Sequence, residues 1–99
     1  MNLIIQQYVH LKDKHKFRDS LTARKLYADV DFLPRIGDAI EDSVYHRNDP
    51  AYTVTEASFN YEENYYLAYL ETVSIDSEDR NIIEERKEIY KAHGWEVLN

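Results

Sequence analysis

Three carboxylates in the stretch DFLPRIGDAIED, Asp38, Glu41 and Asp42, are the residues best placed to do chemistry. A strand sets residues two or four apart on one face, so such carboxylates can form a general acid–base pair. A plainer reading is stronger: a strand with Ala39, Ile40 and Val44 inward leaves its acids outward, where they serve solubility and discourage edge pairing. The four histidines, His10, His15, His46 and His93, fall in no H-x-H, H-x-x-H or H-E-x-x-H spacing, so no metal site is expected. There is no G-x-S-x-G and no glycine-rich phosphate loop, and two glycines in 99 residues leave little chain to cradle a nucleotide. The balance is against an enzyme, and no cofactor is implied.

The run KDKHKFR offers a different chemistry. Lys12, Lys14, Lys16 and Arg18 form a candidate anion-binding patch, with Arg24 and Lys25 nearby and Phe17 and Tyr27 able to stack a base. Residues 1–25 hold six Lys and Arg against Asp13 and Asp19, a net +4, so residues 26–99 carry −11 within the formal total of −7. Nucleic-acid binders usually carry positive charge over the whole domain, so the run reads as a solvated loop. An acidic surface repels phosphate backbones and anionic lipid, and neither nucleic acid nor membrane is an expected partner.

The tyrosines point elsewhere. Of nine, Tyr61, Tyr65, Tyr66 and Tyr69 gather around one turn that also holds Glu62 and Glu63. So small a core does not easily hide all these rings, and a tyrosine left outside brings apolar area, a hydrogen-bonding tip and few rotors to an interface. The competing reading is that they form the core and its rim, since tyrosine favours strands.

The elements that must position these residues are legible in part. NLIIQQYVHL places Leu3, Ile5, Val9 and Leu11 on one face and Gln6, Tyr8 and His10 on the other, a strand broken at Gln7. Residues 12–30 are ambiguous. Ser20 can cap a short helix through Leu26, yet Leu26, Ala28, Val30 and Phe32 alternate like a strand, and the expectation is one or two turns of helix, or an irregular loop, followed by an extended arm into Pro34. Pro34 and Gly37 punctuate a turn ahead of a strand in DAIEDSV, and HRNDP, residues 46–50, marks another turn. AYTVTEASFNY and YYLAYLETVSI flank Glu62-Glu63-Asn64 as a hairpin, with Asn64 suited to a left-handed turn position.

In the first hairpin strand the apolar phase slips by one residue between Val54 and Ala57, which predicts a β-bulge. In the second, Tyr65, Leu67, Tyr69, Val73 and Ile75 share one face and Tyr66, Ala68 and Leu70 the other, as in a central strand. DSEDRNIIEERKEIYKAHG is a helix with Asp76 or Ser77 as cap, acids in its first turn, an Ile82, Ile83, Ile89 and Tyr90 stripe, and Gly94 as stop. Trp95, Val97 and Leu98 then close one end of the core or add an edge strand.

Taken together, FLPRIGDAI and YTVTEASFNYEENYYLAYLE resemble the layout of small bacterial and phage-type proteins in which a P-R-x-G-D turn opens a β-meander. They are also similar to the opening of Src-homology-3-like small barrels. The resemblance covers residues 31–73, implies a fold, and carries over no functional residue.

The expected architecture is a single α+β domain over residues 1–99: a curved antiparallel sheet or small open barrel with the C-terminal helix packed on it. The expected function is a non-enzymatic protein-binding module with an acidic, tyrosine-bearing face that includes Tyr61, Tyr65, Tyr66, Tyr69, Glu62 and Glu63. In a sharper form, carboxylates stand in for phosphates on a partner's basic surface, as in phage-type inhibitors. The alternative is a small-ligand or nucleotide-binding domain, enzymatic or not, with Arg35, Asp38 and Tyr45 at one barrel mouth. Self-association through a strand edge or the tyrosine face is a third possibility. A cysteine-free chain whose N-terminus holds only Leu3, Ile4 and Ile5 as an apolar run points to the cytoplasm.

Overall fold

A computed structural model describes residues 1–12, 14, 16–44 and 51–98. β1 (Asn2–Leu11) is the strand around which the rest assembles. Leu3, Ile5, Gln7, Val9 and Leu11 are all buried on one face, so the period-two pattern runs unbroken through Gln7. That glutamine is tolerated because its amide is satisfied: Nε2 donates to the Glu71 carbonyl at 3.1 Å, and Oε1 accepts from the Tyr90 hydroxyl at 2.8 Å.

After a 3₁₀ turn at Phe17–Asp19, β2 (Ser20–Tyr27) returns antiparallel to β1, from His10↔Ser20 to Leu3↔Tyr27. The short helix from Ser20 does not form. Seven residues are too few for a stable isolated helix, whereas the strand buries Leu21 and Ala23 beside β1 and satisfies its backbone there. An arm then carries the chain back across the core face, tied by Val30 N to Met1 O at 3.1 Å. Asp29 and Gly37 take positive φ, 53° and 93°, at its two bends. In the Pro34–Asp38 turn, Arg35 N donates to the Asp38 carboxylate and Gly37 N to the Val54 carbonyl.

The strand expected in DAIEDSV shortens to β3 (Ala39–Ile40), which pairs with the start of β4 (Tyr52–Asn60). β4 and β5 (Tyr65–Leu70) form the expected hairpin, with Asn64 at φ 60°, and its register shifts between Val54 and Glu56, where the apolar phase slips. β5 runs parallel to β1, Asn2↔Tyr65 to Gln6↔Tyr69, and β6 (Val73–Ile75) continues beside β1 at Val9↔Val73 to Leu11↔Ile75. The sheet is therefore mixed rather than wholly antiparallel. One extra residue intervenes between the two registers, which flips the phase: Val73 and Ile75 lie on the core face, not with Tyr65. Gln7 bonds the Glu71 carbonyl at that break.

α1 (Arg80–Ala92) begins at Asp79, whose carboxylate accepts from Asn81 N at 2.9 Å, rather than at Asp76 or Ser77. Ser77 is used one step earlier, where its hydroxyl takes the Asp79 N–H, so the expected acidic first turn lies ahead of the helix. Gly94, at φ 86°, ends it: Gly94 N returns to Lys91 O and Trp95 N to Tyr90 O, the double closure of a Schellman turn. Ile83 and Tyr90 are buried while Ile89 is exposed, so the stripe is narrower than expected. β7 (Glu96–Val97) then pairs with β2.

The strand order is β3-β4-β5-β1-β2-β7, curled into an open half-barrel. Helix α1, Trp95 and the arm fill its inner face, where Leu33, Ile40 and Val44 join the core. Among the described residues, no helix is long and apolar enough to cross a membrane.

Candidate functional site: the uncovered sheet face

Period-two alternation gives the sheet a second face, and among the described residues no helix or loop packs over it. From β1 it displays Ile4, Gln6 and Tyr8, from β2 Thr22, Arg24 and Leu26, and from β5 Tyr65, Leu67 and Tyr69. β4 adds Glu56, Ser58 and Asn60, with Glu56 opposite Tyr69 and Asn60 opposite Tyr65. Leu67 is 8% exposed yet takes no part in the core under the helix. On this face it lies between Ile4 of β1 and Ser58 of β4, with the half-buried Tyr65 and Tyr69 on either side of it along β5.

At the far end of β1, Tyr8 stacks on His10 with centroids 5.4 Å apart, and His10 Nδ1 lies 2.7 Å from the Leu11 carbonyl. A carbonyl only accepts, so this ring carries its proton on Nδ1. Arg24 Nε donates to the Gln6 amide oxygen, which turns the face's one central cation inward along the sheet. A shallow groove of about 350 Å³, lined by Ile4, Arg24, Lys25, Leu26, Gly94 and Glu96, opens at the β2 edge.

The tyrosines of the hairpin divide. Tyr65 and Tyr69 lie on the uncovered face. Tyr61 is 84% exposed at the turn, stacked on Phe59, beside exposed Glu62 and Glu63. Tyr66 does not belong with them: it points into the core, meets Phe59 edge-on at 4.7 Å, and its hydroxyl donates to the Pro34 carbonyl. Adjacent residues of a strand face opposite ways, so Tyr65 and Tyr66 cannot share a surface. Tyr8 and Leu67, which complete the face, were visible only as the outward phase of β1 and β5; nothing in the sequence says which phase the helix covers.

The carboxylates are also sorted differently from the outward arrangement that alternation suggests. Glu41 is exposed, and Asp38 accepts Arg35 N within its own turn. Asp42 turns inward, its side chain 1% exposed. It accepts Lys25 Nζ at 2.9 Å, the Tyr27 hydroxyl, Trp95 Nε1 at 3.2 Å and Val44 N at 3.0 Å. Burial alone raises a carboxyl pKa, but the donors from Tyr27, Lys25, Val44 and Trp95 prevail and lower that of Asp42 from 3.8 to about 2. Burial, the hydrogen bond and the charge of Asp42 all push the Tyr27 phenol up. Lys25 also donates to the His93 carbonyl, and His93 Nδ1 lies 3.0 Å from Ser43 Oγ. This hub clamps the arm to β2 and the helix end. A carboxylate so fully occupied is a poor proton acceptor, and its role here is structural.

Of the basic patch, Lys12, Lys16 and Arg18 are exposed and Lys14 is half-buried in the β1–β2 connection. Asp19 is buried and accepts Arg80 Nε at 2.9 Å, which ties this acid to α1. Tyr45, His15, His46 and the HRNDP turn lie outside the described residues. Among the described residues, no three His, Asp or Glu side chains gather so as to hold a metal ion. No protein family, curated protein or solved structure matches this chain.

Proposed function

We propose that this protein is a non-enzymatic protein-binding module whose contact surface is the uncovered sheet face. The observation that carries this reading is the placement of Tyr65 and Tyr69 on either side of Leu67, with Ile4 beside it and Tyr8 further along the same face, on a surface that no described element covers. Rigid aromatic anchors around a desolvated apolar centre are the usual composition of a binding hot spot. The favoured partner is a protein with a basic surface. Glu56, Glu62 and Glu63 border the tyrosines, while Arg24 is engaged by Gln6. In the sharper form these carboxylates occupy a phosphate-binding site on the partner, in the manner of phage-type inhibitors, within the cytoplasm.

The test compares the wild-type chain with Tyr65→Ala/Tyr69→Ala in a nuclease-treated pull-down from host lysate, followed by titration of the purified captured protein. The reading expects at least about tenfold weaker binding by the variant and affinity that falls between low and high salt. Equal affinity for both chains, with an unchanged melting temperature, would remove the face from the argument.

The groove beside Gly94 favours a second reading, a small anionic ligand. It ranks lower because its cations are already engaged, Lys25 by Asp42 and His93 and Arg24 by Gln6. The Asp38 carboxylate is likewise occupied, by the Arg35 backbone N–H. Stabilisation by one nucleotide or metabolite in a thermal-shift screen would reverse this ranking.

A further inference from the structure

Among the described residues, β4 has an edge that is unpaired past Val54. β3 meets it only at Tyr52 and Thr53, and Gly37 and Asp38 reach Val54. Beyond Val54 no described residue pairs with the side of β4 facing away from β5. Val54 bonds the arm through both its N–H and its carbonyl, so its backbone points outward. The extra residue at the Val54/Glu56 bulge shifts the outward set by one, and by ladder alternation Ala57 and Phe59 present their N–H and carbonyl groups to solvent. Among the described residues the edge is only partly guarded, by the bulge at Val54/Glu56 and the charge of Glu56 at its start. It has no proline and no lysine, and beside it stand Phe59 at 45%, Tyr61 at 84% and Ile36 at 67% exposure.

From this geometry we infer that β4 is a self-pairing edge: two copies of the chain join antiparallel about a two-fold axis at Ser58 and continue one sheet into the other. A row of outward backbone groups is complemented by the backbone of another extended strand. The choice of a second copy follows from the register. A two-fold at Ser58 sets Ala57 opposite Phe59 of the second copy, so each strand gives and takes hydrogen bonds at both positions and a large exposed ring meets a small side chain. It sets Glu56 opposite Asn60 of the second copy, so no like charges face each other although each chain carries −7. It also brings Tyr61 of one copy alongside the Ile36 segment of the other, covering two apolar side chains that a lone copy leaves in water. The uncovered faces of the two copies then form one surface. The inference stands on the β4 edge and does not depend on what binds that surface.

Ser58 is exposed and lies on the face away from the core, so it can be changed without disturbing the fold. The test is light scattering over a concentration series, joined to cysteine cross-linking in a chain that has no cysteine of its own. The wild-type chain is expected to pass from monomer to dimer. Ser58→Lys, which places two cations against each other at the axis, should raise the dissociation constant at least about tenfold while leaving the circular dichroism unchanged. Ser58→Cys should form a covalent dimer under mild oxidation, because residues on a two-fold non-hydrogen-bonded position stand about 4.5 Å apart, within disulfide reach. Ser74→Cys, exposed on β6, is the control and should cross-link only by random collision. A wild-type chain that stays monomeric to about 1 mM overturns the inference. So does Ser58→Cys cross-linking no faster than Ser74→Cys.

Discussion

The Tyr90 hydroxyl donates to the Gln7 amide oxygen at 2.8 Å, a bond between residues 83 apart in the chain, and both side chains are 1% exposed. Through the same amide Gln7 also holds the Glu71 carbonyl, where the chain steps from β5 to β6. One polar side chain thus joins the helix, the central strand and the irregularity in its neighbour. Replacing Gln7 by leucine removes the acceptor of Tyr90 and the donor to Glu71 together. Gln7→Leu should lower stability by about 2–4 kcal/mol in urea unfolding, the sum of two lost buried partners. Adding Tyr90→Phe should cost less than it does alone, because the bond from its hydroxyl to Gln7 is already gone.

Asp42 makes stability depend on acid. Its pKa is lowered on folding from 3.8 to about 2, so its contribution is complete above about pH 4 and disappears as pH falls through 2. Asp42→Asn should therefore lower the melting temperature at neutral pH and flatten its decline between pH 4 and pH 2. Asp42→Ala, which strands the Lys25 charge and the Trp95 N–H, should cost about 3 kcal/mol. A wild-type melting temperature unchanged over that pH interval would contradict the clamp.

The four hairpin tyrosines should separate by stability alone. Tyr66→Ala removes a core ring and its bond to Pro34, and should cost about 3–5 kcal/mol. Tyr61→Ala, at the exposed turn, should change stability by less than about 0.5 kcal/mol. Tyr65→Ala and Tyr69→Ala should each stay below about 1 kcal/mol, since these half-buried rings touch neighbours on the sheet but no covering element. Chemical denaturation of the four single variants reads this order directly.

Gly94 is required by its backbone rather than by space. A Cβ there would meet Lys25 Cε at 3.7 Å, an ordinary contact, but φ is 86°. Gly94→Ala should cost about 1–2 kcal/mol, and Gly94→Asn less, because asparagine tolerates the left-handed region better. Equal losses for the two would point to crowding instead.

Much of the local structure was legible in the residues themselves. The hairpin, the bulge after Val54, Asn64 in its turn, the helix stop at Gly94 and the alternation of β1 are set by conformational preference and by which side chains avoid water. Those forces act over a few residues. The P-R-x-G-D stretch that begins as a candidate site resolves in the same way: Gly37 supplies a bend, and Asp38 closes the turn on Arg35.

What the tertiary structure alone decided are relations between distant segments. Residues 20–27 became a strand because β1 offered them a partner, and β5 came to lie parallel to β1 because the arm carries the chain back across the core. Asp42 turned inward only because Lys25, Tyr27 and Trp95, from separate parts of the chain, converge on it. A carboxylate's burial depends on donors that no local pattern displays. The uncovered face has the same origin: alternation gives each strand two faces, and only the packing of α1 and the arm on one of them leaves Tyr65 and Tyr69 outside and Tyr66 within.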